Sequence, residues 1–211
     1  MARVLIVGGG CPGRRLAARL ARDGHAVRVT TRREAGRAAI EASGAECWIG
    51  TPDRLATLRG ALDHVTVACW MLAGARGEPE QLRALHGSRL ELFLTQAIDT
   101  TVRGFLYDAT PRTSGSRDGD GGSRGGEGRE GEAVDPCLLR AGARTVARLT
   151  ELNAIPAIVL DRNASAADAD RGGDGDGGGD GGGDAAWEAG AIEAIEALLA
   201  GRTQPLVVER D

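Results

Sequence analysis

Short β-branched runs alternate with stretches of helical periodicity along most of the chain. Residues 3–7 (RVLIV) are apolar throughout and end abruptly at Gly8-Gly9-Gly10, the pattern of a strand buried on both faces of a parallel sheet. Residues 14–23 place Leu16, Ala17, Leu20 and Ala21 on one helical face, with Gly24 as the stop. Residues 26–30 (AVRVT) predict a second strand, 34–42 a weaker helix and 45–49 (AECWI) a third strand. Thr51-Pro52 offers an N-cap followed by a first-turn proline, and Leu55, Leu58 and Leu62 follow at helical spacing. Residues 65–72 predict a fourth strand, 80–100 the longest helix and 104–107 (GFLY) a fifth strand. Asp135-Pro136 opens a helix to about Leu152, 157–160 (AIVL) is a sixth strand, and 187–199 is a last amphipathic helix. Residues 205–208 predict a short closing strand. Strands and helices in this alternation predict an α/β fold: a doubly wound parallel sheet, the Rossmann arrangement, with helices on both faces. Ligands of such sheets bind at the carboxyl ends of the strands, beside the switch point.

The pattern fails twice. Residues 114–131 and 171–184 are Gly-rich and polar, and they hold 17 of the 33 glycines. Segments with so little to bury are expected to be flexible, so the chain reads as one domain, 1–211, with two mobile tracts. Asp174, Asp176, Asp180 and Asp184 in the second tract lack the regular spacing and apolar stacking residues of a calcium-binding repeat, and no metal site is expected.

Composition narrows the chemistry. All 26 basic residues are Arg, so lysine Schiff bases, a P-loop lysine and a Tyr/Lys proton relay are excluded. Aromatics are only 3%, so the core must be aliphatic. The four cysteines form no C-x-x-C pair, the apolar runs are too short for a membrane span, and strand patterning starts at Arg3 with no room for a leader. A reduced, cytoplasmic protein is expected. Residues 1–112 carry 16 Arg against 11 acidic residues. That balance suits a small anionic ligand, and no basic stripe interleaved with aromatics points to nucleic acid.

Gly8-Gly9-Gly10-Cys11-Pro12-Gly13 fits G-x-G-x-x-G, directly after a strand and at the start of a helix, which is the context the motif needs. Gly8 makes the tight turn, Gly10 admits a pyrophosphate to the backbone, and Gly13 lets helix and strand pack closely. Cys11 and Pro12 complete the loop, and the amides of the helix N-terminus face the phosphates. The alternative is a tight turn with no ligand. At the end of the second strand an NAD site usually has a carboxylate for the ribose. Here stand Thr30-Thr31-Arg32-Arg33. Guanidinium groups bind phosphate through paired N–H donors, so Thr31, Arg32 and Arg33 favour NADP over NAD. The alternative is a pair of solvated helix-start arginines.

Taken in order, VLIVGGGCPGRRLAARLARDGHAVRVTTR, GALDHVTVACWMLAG, ALHGSRLELFLTQAIDTTVRGFLYDAT and ELNAIPAIVLD resemble an atypical short-chain dehydrogenase/reductase of the NmrA-like or NAD-dependent epimerase-like kind. The resemblance implies that Arg32 faces the NADP 2′-phosphate and that residues 69–73, with Trp70 and Ala73, run under the cofactor. It also implies that residues 107–110 carry a catalytic hydroxyl. Two departures stand out. Thr51 occupies the place of an adenine-contacting Asp, and the Tyr-x-x-x-Lys pair is absent. The candidates for proton transfer are then His86, Tyr107 and Thr110, each with a plain alternative as a packing histidine, a packing tyrosine and a turn residue. The expectation is an NADP(H)-binding oxidoreductase acting on a small carbonyl-type substrate. Its rival is a non-catalytic module that senses NADP(H).

Overall fold

The computed structural model describes residues 2–112, 131–161 and 181–202. Six parallel strands form the central sheet: β1 (Arg3–Val7), β2 (Ala26–Thr31), β3 (Glu46–Ile49), β4 (Val67–Trp70), β6 (Gly104–Asp108) and β8 (Ala157–Leu160). Their order is β3-β2-β1-β4-β6-β8, so the chain winds outward from β1 in one direction and then in the other. This is the doubly wound Rossmann order, and its switch point lies between β1 and β4. A two-residue antiparallel ladder pairs β5 (Arg76–Gly77) with β7 (Glu132–Ala133).

The period of two along each strand divides the core. Leu5 and Val7 of β1, Ala68 and Trp70 of β4, and Phe105 and Tyr107 of β6 belong to one face. On that side pack α3 (Pro79–His86), α4 (Ser88–Ile98) and α5 (Pro136–Leu152). Val4, Ile6, Val67, Cys69 and Leu106 face the other way, against α1 (Cys11–Arg22), α2 (Arg37–Glu41) and α6 (Gly181–Leu199). Each buried Leu in these layers contributes roughly 1.5–3 kcal/mol by leaving water.

Local signals place the helices. Asp135 caps α5, its carboxylate accepting the Cys137 amide at 2.7 Å, and Pro136 follows at the first position. Three expectations need correction. The helix expected over 80–100 is two helices, broken at Gly87 (φ −118°, ψ −107°). A Cβ on Gly87 would stand 2.8 Å from the Arg83 carbonyl oxygen, so the sharp bend belongs to glycine. The segment after Thr51-Pro52 makes only 3-10 turns, Leu55–Leu58 and Gly60–Leu62. Its leucines are buried, but Thr57 Oγ1 takes the Thr51 amide at 3.0 Å and closes a loop where a cap was expected. Residues 181–184, expected to be structureless, form the first turn of α6, and Asp184 there pairs with Arg15 of α1 at 2.8 Å. Glycine offers no propensity for this, and docking against α1 supplies the order. The rest of the tract 171–184, nearly all of 114–131, and the expected strand at 205–208 lie outside the described residues. Among the described residues no helix is long and apolar enough to cross a membrane.

Candidate functional site

A cleft of about 720 Å³ opens at the carboxyl ends of β1, β2 and β4, at the switch point. Its floor is the glycine loop. Gly8 has φ +127°, and a Cβ there would lie 2.6 Å from the Met71 carbonyl oxygen. Substitution at Gly13 would drive a Cβ into the Gly8 carbonyl oxygen, and one at Gly9 would meet the Thr30 carbonyl oxygen at 2.7 Å. Gly10 differs. A Cβ there would find only Pro12 Cδ, at 3.8 Å, so its bare side is open. Three glycines thus seal the loop against the protein, and Gly10 leaves its own side clear for a ligand.

The helix start is built for an anion. Gly10 is the N-cap of α1, no side chain caps it, and no acidic residue lies in the first turn. The positive end of the helix dipole is therefore uncompensated by its own cap and first turn. Two ties hold the loop. The Gly8 amide donates to Thr30 Oγ1 at 3.2 Å. Arg14 reaches back from α1 to the Gly9 carbonyl at 3.3 Å and to Cys11 Sγ at 3.2 Å. Arg14 did not stand out in the sequence, because an arginine in a chain whose basic residues are all arginine carries no local signal, and Thr30 was read only as part of the strand end and not as a tie to the loop.

At the end of β2, Arg32 lines the cleft, is exposed, and makes no ion pair among the described residues. Thr31 also lines it, and its hydroxyl accepts the Arg33 amide at 3.4 Å, closing a tight turn. Arg33 is exposed beside the cleft and does not line it. The nearest carboxylate in sequence, Glu34, is gripped by Nε and Nη2 of Arg37. That hydrogen-bonded pair holds the Glu34 carboxyl below its usual range.

Cys11, Pro12 and Ala73 line the cleft with the glycines. Trp70 does not. It is fully buried on the opposite face of its strand, with its ring 5.0 Å from Phe93. The alternation along β4 directs it into the helical layer and gives the cleft to Met71, Leu72 and Ala73 instead.

His86 and Tyr107 come together, but inside the core. His86 Nδ1 and the Tyr107 hydroxyl are 2.8 Å apart, and both residues are buried. Neither lines the cleft, where Leu82 and Leu85 of the His86 helix, themselves largely buried, form part of the wall instead. Gly142 of α5 makes the space, since a side chain there would overlap the Tyr107 hydroxyl. Burial lowers the His86 pKa to about 4, against an opposing contribution from the Leu72 backbone, so the ring is neutral at pH 7. Burial, aided by Asp108, raises Tyr107 well above the usual phenol range. Thr110 is 1% exposed and does not line the cleft either, and its Oγ1 has no hydrogen-bond partner among the described residues.

The sequence did not single out Asp108, Arg112, Arg76 or Arg89. Asp108 ends β6 and is 1% exposed. Its Oδ1 accepts the Thr110 amide (3.1 Å) and Trp187 Nε1 (3.3 Å), and its Oδ2 accepts Arg112 Nη2 (3.1 Å). Arg112 stacks over the Trp187 ring at 4.9 Å and lines the cleft, as do Arg76 and Arg89. Arg89 is engaged with Asp53, 2.6 Å away across the cleft mouth.

No protein-family model and no curated protein sequence matches the chain. Solved structures do match its fold. A UDP-glucose 4-epimerase from Thermotoga maritima, solved with UDP-glucose, superposes with a TM-score of 0.57 at 15% identity, covering 75% of this chain and 54% of that one. A UDP-glucuronic acid 4-epimerase from Bacillus cereus, solved with a fluorinated UDP-sugar and NAD, gives 0.55 at 13% identity, covering 75% and 55%. An epimerase from Methanothermobacter thermautotrophicus gives 0.56 at 17% identity, covering 75% and 50%. At such identities the likeness is one of fold, the Rossmann fold that these epimerases share. The chain spans about half the length of these structures.

Proposed function

We propose that this chain binds NADP(H) in the cleft and is an atypical short-chain oxidoreductase for a small carbonyl-type substrate. The observation that carries this is an open, uncapped glycine loop together with Arg32, which lines the cleft and makes no ion pair among the described residues. Gly8, Gly10, Cys11, Pro12 and Gly13 hold the pyrophosphate through backbone amides. Arg32, flanked by Thr31 and Arg33, takes the 2′-phosphate. The engagement of Glu34 by Arg37 supports NADP over NAD, because it withdraws the neighbouring carboxylate from a ribose hydroxyl. Ala73 lies under the cofactor. The bound nicotinamide supplies hydride chemistry, and the protein supplies orientation and exclusion of water. His86 and Tyr107 support the strand end from behind.

A second reading is a non-catalytic NADP(H) sensor. The burial of the one tyrosine, bonded to His86 in a lysine-free chain, favours it.

Calorimetric titration with NADPH and NADH tests the cofactor. NADPH should bind more tightly, and Arg32→Ala should weaken it by roughly tenfold to a hundredfold, the loss expected for about 1.5–3 kcal/mol of charge-assisted hydrogen bonding. NADH affinity should be nearly unchanged; a preference for NADH, or equal losses for both, refutes the assignment. NADPH oxidation across aldehydes, quinones and flavins separates enzyme from sensor.

A further inference from the structure

Charge in the cleft is unevenly cancelled. Two carboxylates line it, Asp53 and Asp184. Asp53 is held by Arg89 at 2.6 Å and Asp184 by Arg15 at 2.8 Å. The arginines Arg32, Arg76 and Arg112 also line it. Arg32 has a role in the reading above. Arg76 and Arg112 have none, and they stand elsewhere.

Sheet order says where. A dinucleotide whose 2′-phosphate meets Arg32 after β2 and whose pyrophosphate crosses the loop after β1 extends next over the ends of β4 and β6. Arg76 follows β4 and Arg112 follows β6. Both therefore lie beyond the phosphate loop, on the side where the reactive end of a cofactor meets its second ligand. Both line the same cleft, and Arg112 reaches the turn that leads to Arg76: a Cβ on Gly74, two residues before Arg76, would be 3.0 Å from Arg112 Cδ.

Arg112 is not a loose surface charge. One nitrogen is fixed by the buried Asp108 carboxylate, and the plane rests on Trp187. A guanidinium has five N–H donors, so one edge is spoken for and donors remain for the cleft. Asp108 is itself oriented by the Thr110 amide and the Trp187 indole, which fixes the guanidinium before any ligand arrives. Arg76 is exposed, makes no ion pair among the described residues, and is set in register by the β5–β7 ladder opposite Ala133. One pre-set and one exposed guanidinium lining the same cleft suit a carboxylate or a phosphate, whose oxygens accept paired N–H donors.

We infer that Arg112 and Arg76 form a subsite for the anionic group, carboxylate or phosphate, of the second ligand. This rests on the cofactor reading, and the test keeps the two apart. The full chain is first titrated with NADPH. The NADPH complex is then titrated with matched pairs: pyruvate against acetone, and dihydroxyacetone phosphate against dihydroxyacetone. The anionic member of at least one pair should bind about tenfold more tightly or better. The pair that shows this identifies the group as carboxylate or phosphate. Arg112→Gln and Arg76→Gln should each remove most of that preference and leave NADPH affinity unchanged. Should Arg112→Gln fail to fold with Asp108 left unpaired, Asp108→Asn/Arg112→Gln removes both charges together, and Arg76→Gln stands by itself. Equal binding of neutral and anionic members, no binding of any, or a preference that survives the substitutions would overturn the subsite. Absence of NADPH binding in the first titration would instead overturn the cofactor reading.

Discussion

His86 shows how one residue changes meaning between sequence and structure. In the sequence it is a titratable group early in a long helix. In the fold it is a neutral imidazole bonded to Tyr107 behind the cleft. Its pKa of about 4 lies below the ordinary 6.5, so between those values the unfolded chain binds a proton and the folded chain does not. The stabilisation is therefore complete above pH 6.5 and is lost as pH falls toward 4. The amount is on the order of 3 kcal/mol. Urea denaturation at several pH values should show this loss, and His86→Gln should flatten it while lowering stability at pH 7. Gly142 provides a second check. Gly142→Ala crowds the Tyr107 hydroxyl and should cost about 1–3 kcal/mol, read as a lower denaturation midpoint with NADPH affinity less affected. Cys69 is fully buried, and its thiol pKa is raised by desolvation, whereas Cys137 is exposed. A thiol reagent should label Cys137 in the native chain and reach Cys69 only on unfolding.

Among the elements, α1 has two tasks. Leu16, Ala17 and Leu20 bury its inner face, and its other end presents uncapped amides to the cleft. Gly13 joins the tasks, since it sets how closely the helix approaches β1. Gly13→Val should therefore abolish NADPH binding in calorimetry and also lower thermal stability, whereas Arg32→Ala should leave stability within about 0.5 kcal/mol. The strand and helix at this turn were legible because glycines and a β-branched run make a local pattern. The break at Gly87 was not. A glycine inside a helical period is compatible with a continuous helix, and the bend shows only in the packing, where α3 reaches β5 while α4 packs on the 3-10 turn at Leu55–Leu58. Asp135 is the opposite case, a cap written in sequence and found in place. Asp135→Ala should cost about 1 kcal/mol.

Across the whole molecule, the sheet order creates the cleft. β1 feeds its loop into a gap left by windings that leave in opposite directions. A ligand that binds only the folded state should stabilise it by about 2.7 kcal/mol at a hundred times its Kd. NADPH should thus raise the melting temperature of the whole chain, and more than NADH does at equal concentration. The same topology brings Asp108, Arg112 and Trp187, from two distant stretches of chain, into one cluster at the cleft wall.

The sequence by itself determined the alternation of strands and helices, the six-stranded parallel sheet and the glycine turn, because these depend on periodicity and on steric limits within a few residues. Tertiary structure alone decided which side chains share the cleft. It turned Trp70 into the core, placed Tyr107 against His86, and set Arg112 between Asp108 and Trp187. Those outcomes follow from which face each strand residue shows and from how helices far apart in sequence pack across the sheet, and nothing within a short window of residues encodes either.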